Sequence, residues 1–541
     1  LLSFTVESAT YDLLEEQKTD QLLLPDTQPG SSFFDVDLTQ QQAIKNQKKD
    51  YIEALELIKN KKLKEAENKI NALLKSNPRE PEFYNLQGLL ALTNKQPELA
   101  IKNYQDAIDL DQKNLNANLA LAKLSLNAGD LQRAEEYSYK ALSINNKLSY
   151  AFFILADISF KQNNPLEAEK RLLTAHMRNQ GNIEQEITIA NNLSKLYILQ
   201  KQPKKILPLA EDIINRYPKN SAAMSLLANA QLINSQKIQA EKTLSKLVNL
   251  EKQDTQHRLL LARLLAGQPG KEKEVLKLLE EASSISPNNE QILFQKATYL
   301  IKTKNYQEAI KTATKLKKVT PQTGAGEIIE GEVYLNKKEL DNALSAFQQA
   351  YKIKPNAKLL SVIVDILTAK GQQSDAITLL NEELKKNNEN LSAHFKLATL
   401  YQQQNNLTEA EKHYKNILAV MPDNALVINN LAWIYHQQNN PDALELAQKA
   451  YKLAPNSAAI ADTYGVILSK LGNLKQGIDV FEKASKLAPM AYDIQYHLAE
   501  AYTTNGNQKQ AIDILNHILK TDQSFSERNA SIALLKKLKG N

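Results

Sequence analysis

No cysteine occurs among the 541 residues. That absence removes disulfides, thiolate catalysis, cysteine-bound metals and iron–sulfur clusters together, and it fits either redox compartment. Glycine and proline are scarce, at 15 and 17 residues, which suits a folded, helix-rich chain rather than a disordered one. No run approaches the roughly 18 uncharged apolar residues of a membrane span, and even Leu259 to Ala266 is broken by Arg263, so no transmembrane helix is expected. Neither sign of charge dominates: 67 Lys and Arg stand against 61 Asp and Glu, a net of +6 with the signs interleaved. A basic stripe of the kind that draws nucleic acid is not visible, so no nucleic-acid partner is expected.

Catalytic constellations are also wanting. The seven histidines, His176, His257, His394, His413, His436, His497 and His517, include no two at i, i+3 or i+4 and no metal-ligand spacing such as HExxH. They read as surface or packing residues. The glycines at Gly324, Gly326 and Gly331 have the wrong spacing for a dinucleotide loop, and Gly270-Lys271 lacks the rest of a phosphate loop. No serine elbow or ordered carboxylate pair stands out. The chain therefore reads as a non-enzyme without metal or cofactor.

What is present is a repeat. From Gly324 to Pro355, Gly331 and Tyr334 lie three apart in a first helix, Ala343, Phe347 and Ala350 fall at i, i+4 and i+7 in a second, and Pro355 stops it. Small residues at Gly331 and Ala343 let two helices cross closely, while Tyr334 and Phe347 fill the space beside them. The second-helix signature recurs at Ala66, Ala100, Ala134 and Ala168, each 34 residues after the last. An insertion over Met177 to Gln185 shifts the register, and a loop at Gly267 to Gly270 interrupts it again; copies continue through Ala343, Ala410 and Gly477 to Ala511. A helix pair of this kind cannot bury both faces alone and must stack on its own copies. The expected fold is all-α: an α-solenoid superhelix of about fourteen helix-turn-helix repeats over residues 45–525, closed by a capping helix within 526–541.

Residues 1–44 do not follow the repeat. Eight acids against Lys18 give this stretch −7 and leave +13 on the remainder. Phe4 and Val6 alternate with polar neighbours, Leu22 to Leu24 and Phe33 to Phe34 are short apolar clusters, and Pro25, Pro29 and Gly30 break any long helix. The expectation is an extended acidic arm, with Phe4, Val6, Leu23, Phe33 and Phe34 as its contacts, packing on its own solenoid or docking on a neighbouring copy or partner. Leu1 rather than methionine stands first, which points to a removed leader or a start further upstream.

Small, Tyr, Ala, Phe, Ala and Pro at these signature positions resemble the tetratricopeptide repeat, over roughly residues 45–525. The resemblance implies a superhelix whose first helices line an inner groove, with positions 2, 5, 9 and 12 of each repeat facing it. By register those positions include Tyr150, Phe153, Asp157 and Phe160 in the fourth repeat, and Gln291, Phe294, Thr298 and Ile301 in the eighth. Further on come Phe395, Gln402, Asn429, Trp433, His436, Asp462, Tyr496 and Glu500. Rings among amides and acids suit an extended peptide, the rings giving area and the amides pairing with backbone. Asn429 to Asn473 and Tyr496 to Asn507 are further similar to the large bacterial tetratricopeptide lipoproteins of the PEP-CTERM and exosortase system. That similarity implies an exported protein, periplasmic, outer-membrane-associated or extracellular, on a lipidated cysteine that this sequence does not contain. The expected function is a scaffold for a protein or peptide partner; a self-assembling filament or sheath subunit, or an accessory that binds exopolysaccharide, are the alternatives.

Overall fold

The structure is a computed structural model that describes residues 47–179, 181–521 and 524–540. The arm, and with it Phe4, Val6, Leu23, Phe33 and Phe34, lies outside the described residues. Among the described residues there are twenty-nine α-helices, fourteen consecutive pairs and a final helix, with one 3-10 turn and no strand. The contacts divide the chain into two compact units at Pro287 and Asn288, where the sequence reading has a single array. The N-terminal unit holds seven pairs, from Gln47–Lys59 with Leu63–Ser76 to Gln256–Leu265 with Glu272–Ile285. The C-terminal unit holds seven more, from Glu290–Lys302 with Tyr306–Val319 to Tyr492–Thr504 with Gln508–Ile518, and ends in Arg528–Lys539.

Each pair forms for the same local reasons. The first helix ends in a left-handed residue: Lys61, Lys95, Gly129 and Asn163 begin a series of positive-φ positions that runs to Gly506, except in the seventh pair, where Gly270 takes that conformation only after the loop that follows Leu265. In the second pair the Gln96 N–H donates to the Ala91 carbonyl at 2.9 Å, the six-to-one bond that closes such a helix end. Many first helices start on an asparagine, such as Asn220 or Asn424, whose side-chain oxygen accepts from the amide three residues on. Signature alanines of the second helix, from Ala66 to Ala511, are fully buried.

The helix crossing depends on matched volumes. A Cβ added at Gly331 would stand 2.7 Å from the Phe347 ring, and Gly88 against Tyr104 and Gly465 against Phe481 give the same distance. Where the second-helix residue is aliphatic, as at Leu172 or Leu515, the first helix carries alanine instead, Ala156 or Ala499. Ala398 beside Tyr414, and Val364 sixteen residues before Leu380, depart from the rule. Ring and glycine therefore substitute for aliphatic and alanine at nearly constant total volume, which close packing requires. Core clusters then run from one pair into the next: Ala100, Tyr104 and Ala107 of the second pair pack with Ala117, Ala120 and Leu121 of the third. The last helix covers the exposed end of the series, laying Leu534, Leu535 and Leu538 on the cluster around Ala511, Leu515 and Ile518.

The insertion after Met177 has a structural cause. The fifth pair opens with a longer helix, Ile183–Leu199, whose Glu186 is fully buried. Arg216 Nη2 stands 2.7 Å from its carboxylate, His176 Nδ1 2.5 Å, and Asn179 donates to its other oxygen. Burial alone would raise that carboxyl, but His176, Arg216 and Asn179 outweigh it and hold it down to about 2. The register shift makes room for this network.

Candidate functional site: the first-helix faces

In the C-terminal unit the first helices Ala425–Gln437, Ala458–Lys470 and Tyr492–Thr504 touch one after another. Side chains three, four and seven apart share one side of a helix. Asn429, Trp433 and His436 therefore form one row, and Tyr496 and Glu500 form another two pairs further on. Trp433 and His436 are half-buried with ring centres 5.6 Å apart. Asp462 bridges to the next first helix, where His497 Nδ1 lies 2.8 Å from its Oδ1. The Tyr496 ring stands 5.8 Å from that of His497.

The electrostatics change along this face. Burial and the Lys470 ammonium lower His436, leaving it neutral at physiological pH. Burial also acts to lower His497, but the Asp462 bond and the Glu500 and Glu527 carboxylates raise it overall. Burial and the same two carboxylates raise Tyr496. The face is thus aromatic near Trp433, with the Lys470 ammonium near His436, and acidic near Tyr496.

Other register-predicted residues are drawn into packing. Phe153, Phe294 and Asn429 are buried, which corrects their expected exposure to a ligand. Phe153 stacks on Tyr150 at 6.3 Å and belongs to a core cluster that Phe160 also packs against. Asp157 is half-buried with Lys123 Nζ at 3.7 Å. Phe395 meets Tyr414 edge to face at 6.0 Å, and Gln402 accepts from the Tyr414 hydroxyl at 3.1 Å. Asn429 keeps its Oδ1 without a hydrogen-bond partner, a buried acceptor beside Trp433.

Histidine chemistry emerges that helical spacing does not reveal. His394 and His413, nineteen residues apart, are buried with their Nδ1 atoms 2.8 Å apart, so one ring donates to the other. Burial, reinforced by His394, pushes His413 down to about 4. In the N-terminal unit His257 Nε2 lies 2.7 Å from Ser225 Oγ while its Nδ1 contacts the Asp254 carboxylate. Serine, imidazole and carboxylate in that order form the relay of a nucleophilic serine. Ser225, however, lies in the second turn of Ser221–Ile233, where backbone amides already bond to carbonyls four residues back. Among the described residues no pair of free amides is then left beside Oγ to receive an oxyanion. The relay ties the sixth pair to the seventh, and Asp254 caps the amides of Gln256 and His257.

Comparison with known families agrees with the repeat geometry. Family models described as tetratricopeptide repeat match residues 51–114, 94–149 and 294–358, residues 389–456, and residues 468–535, together more than half of the chain. The chain belongs to the tetratricopeptide-repeat family. Among curated relatives of this tetratricopeptide-repeat chain, the "TPR repeat-containing protein PA4667" of Pseudomonas aeruginosa is 28% identical over 152 residues, 27% of this chain and 26% of that protein. The chain thus matches about a quarter of that relative's length. Chains in two solved structures are also similar. One, titled "Crystal structure of APC/C hetero-tetramer Cut9-Hcn1", has 15% identity over 91% of this chain and 96% of that one, with a TM-score of 0.37. The other, titled "Structure of Naa15/Naa10 bound to HypK-THB", has 13% identity over 91% of each, with a TM-score of 0.38. Among the described residues no helix of this tetratricopeptide-repeat protein is long and apolar enough to cross a membrane.

Proposed function

We propose that this tetratricopeptide-repeat protein is a non-catalytic scaffold that holds an extended segment of a protein partner along the first-helix face of its C-terminal unit. The observation that carries the reading is the row of half-buried rings and polar groups on three successive first helices: Trp433, His436, Asp462, Tyr496 and Glu500. Trp433 offers apolar area to the side chains of an extended peptide. Glu500 and the Asp462–His497 pair favour a lysine or arginine further along the same segment.

The bacterial envelope or exterior is the location this reading favours, supported by the similarity of Asn429–Asn473 and Tyr496–Asn507 to exported bacterial lipoproteins. Exopolysaccharide binding is a weaker reading with the same support. Self-assembly is the second reading, and the opposite charges of residues 1–44 and the remainder favour it.

Retrieval of a partner by the immobilised full chain tests the scaffold reading. Trp433→Ala with Phe395→Ala should weaken capture about tenfold or more, as loss of a central ring does at an interface. Unchanged capture by the double variant would place the binding surface elsewhere.

A further inference from the structure

One edge of the N-terminal unit is left bare in a way that ordinary solvation does not account for. Where the first helix turns into the second, Leu166 of the fourth pair is 75% exposed, Leu199 of the fifth 78% and Ile238 of the sixth 70%. Leu166 and Ile238 are the second residues of Pro165–Arg178 and Lys237–Leu250, and Leu199 is the last of Ile183–Leu199. Antiparallel folding of each pair brings all three to the same edge of the stack. A single exposed leucine is ordinary, whereas three aliphatics in successive pairs form a surface that asks for a cover.

The turns at Leu199 and Ile238 are basic. Lys201, Lys204 and Lys237 are exposed, and no carboxylate among the described residues pairs with them, although the neighbouring Lys205 reaches Glu169 at 2.8 Å. From Ile187 to Ala210 the chain carries Lys195, Lys201, Lys204 and Lys205 and no acid; from Ile213 to Ala240 it carries Arg216, Lys219 and Lys237, again with no acid.

We propose that this edge is the docking surface of the chain's own residues 1–44, held within one molecule. The sequence of that segment is the complement of the edge. Asp20 and Asp26 flank Leu22 to Leu24, and Asp35 and Asp37 follow Phe33 to Phe34. Each apolar cluster thus carries acids beside it, as Leu199 and Ile238 of the edge stand beside Lys201 and Lys237. Length is no obstacle. The 46 residues before Gln47 span up to about 150 Å when extended, while packed helices are separated by only about 10 Å. A tether of this kind gives an effective concentration of about a millimolar, so even a weak interface stays occupied. The edge belongs to the N-terminal unit, whereas the proposed partner face is built by first helices of the C-terminal unit.

The absence of cysteine makes the test clean, because any disulfide must join introduced residues. In the full chain, Phe33→Cys is combined with Leu199→Cys, and in a control with Met177→Cys, an equally bare position (74% exposed) at the far end of the fourth pair's second helix. Both replaced body residues are exposed, so folding is preserved. Mild oxidation should form the 33–199 bond within a single molecule on the order of tenfold faster than the 33–177 bond. Adding Lys201→Glu, Lys204→Glu and Lys237→Glu should reduce it to the control rate. Equal rates at the two positions, or an unaltered rate in the charge-reversed chain, would overturn the docking surface. Products that link two molecules would overturn the intramolecular assignment.

Discussion

Gly331→Ala separates packing from helix propensity, because the two act in opposite directions at this position. Alanine in a helix interior is favoured over glycine by about 1 kcal/mol. The added methyl, however, would lie 2.7, 2.8 and 2.8 Å from three atoms of the Phe347 ring. Carbon atoms settle at about 3.5–4.0 Å, so the ring must retreat by nearly an ångström inside a fully buried cluster. Overpacking of this kind costs about 1–3 kcal/mol, which leaves a net loss of about 1 kcal/mol after the propensity gain. Stacked pairs do not unfold as one body, so the suitable assay is amide hydrogen exchange within Ala325–Asn336 and Leu340–Ile353. Exchange there should quicken about five- to tenfold. Adding Phe347→Leu, which recreates the alanine–leucine match of Ala156 and Leu172, should return most of the loss through a coupling of about 1 kcal/mol. Slower exchange in Gly331→Ala alone would show that the ring does not press on the glycine, and the volume-matching argument would fail.

Three further outcomes follow from the buried polar groups. His413 titrates near 4 in the folded chain and near 6.5 when unfolded, so its neutral burial supports stability above pH 6.5 and that support is lost as pH falls toward 4. The loss amounts to about 3 kcal/mol at most, and His413→Phe should flatten the pH dependence of thermal unfolding in that window; an unchanged slope contradicts it. Glu186 is lowered, so its contribution is present above about 4.5 and disappears as pH falls toward 2. Glu186→Ala, which leaves Arg216 and His176 with Asp212 as their remaining carboxylate, should cost about 2 kcal/mol at neutral pH, and a cost under about 1 kcal/mol would show that solvent already screens the network. A fluorophosphonate probe should leave Ser225 unlabelled for want of an oxyanion site; labelling abolished by both Ser225→Ala and His257→Ala would establish a reactive serine.

The repeat was legible because its small residues recur at a nearly fixed interval and each sits where two helices nearly touch. Gly331 and Phe347 announce a pair on their own, since a glycine inside a helix needs a reason and a ring sixteen residues later supplies it. The site was less legible. Counting positions along one helix placed Phe153, Phe294 and Asn429 on the open face, but a long or planar side chain at the rim of that face folds onto the neighbouring helix. The imidazole pair His394–His413 was invisible to a search over i+3 and i+4, which never leaves one helix. For the contacts between first helices of adjacent pairs the missing signal was the repeat period itself. Ser225 and His257, Lys123 and Asp157, and Asp462 and His497 are 32, 34 and 35 residues apart, so polar residues about one period apart become partners across adjacent pairs. The turns show the same division: glycine marks Gly129, Gly371, Gly472 and Gly506, while Lys61, Lys95 and Lys338 take the same left-handed conformation without any local sign.

The central claim, that a partner lies along the first helices of the C-terminal unit, is tested most directly by photo-crosslinking. The full chain would carry a benzophenone amino acid at His436, and in a parallel chain at Ile532, an exposed position on the final helix. Crosslinks to one protein from position 436, lost when Trp433→Ala is added and absent from position 532, are the predicted result. Crosslinks of equal yield from both positions, or crosslinks from 436 that survive Trp433→Ala, would contradict it.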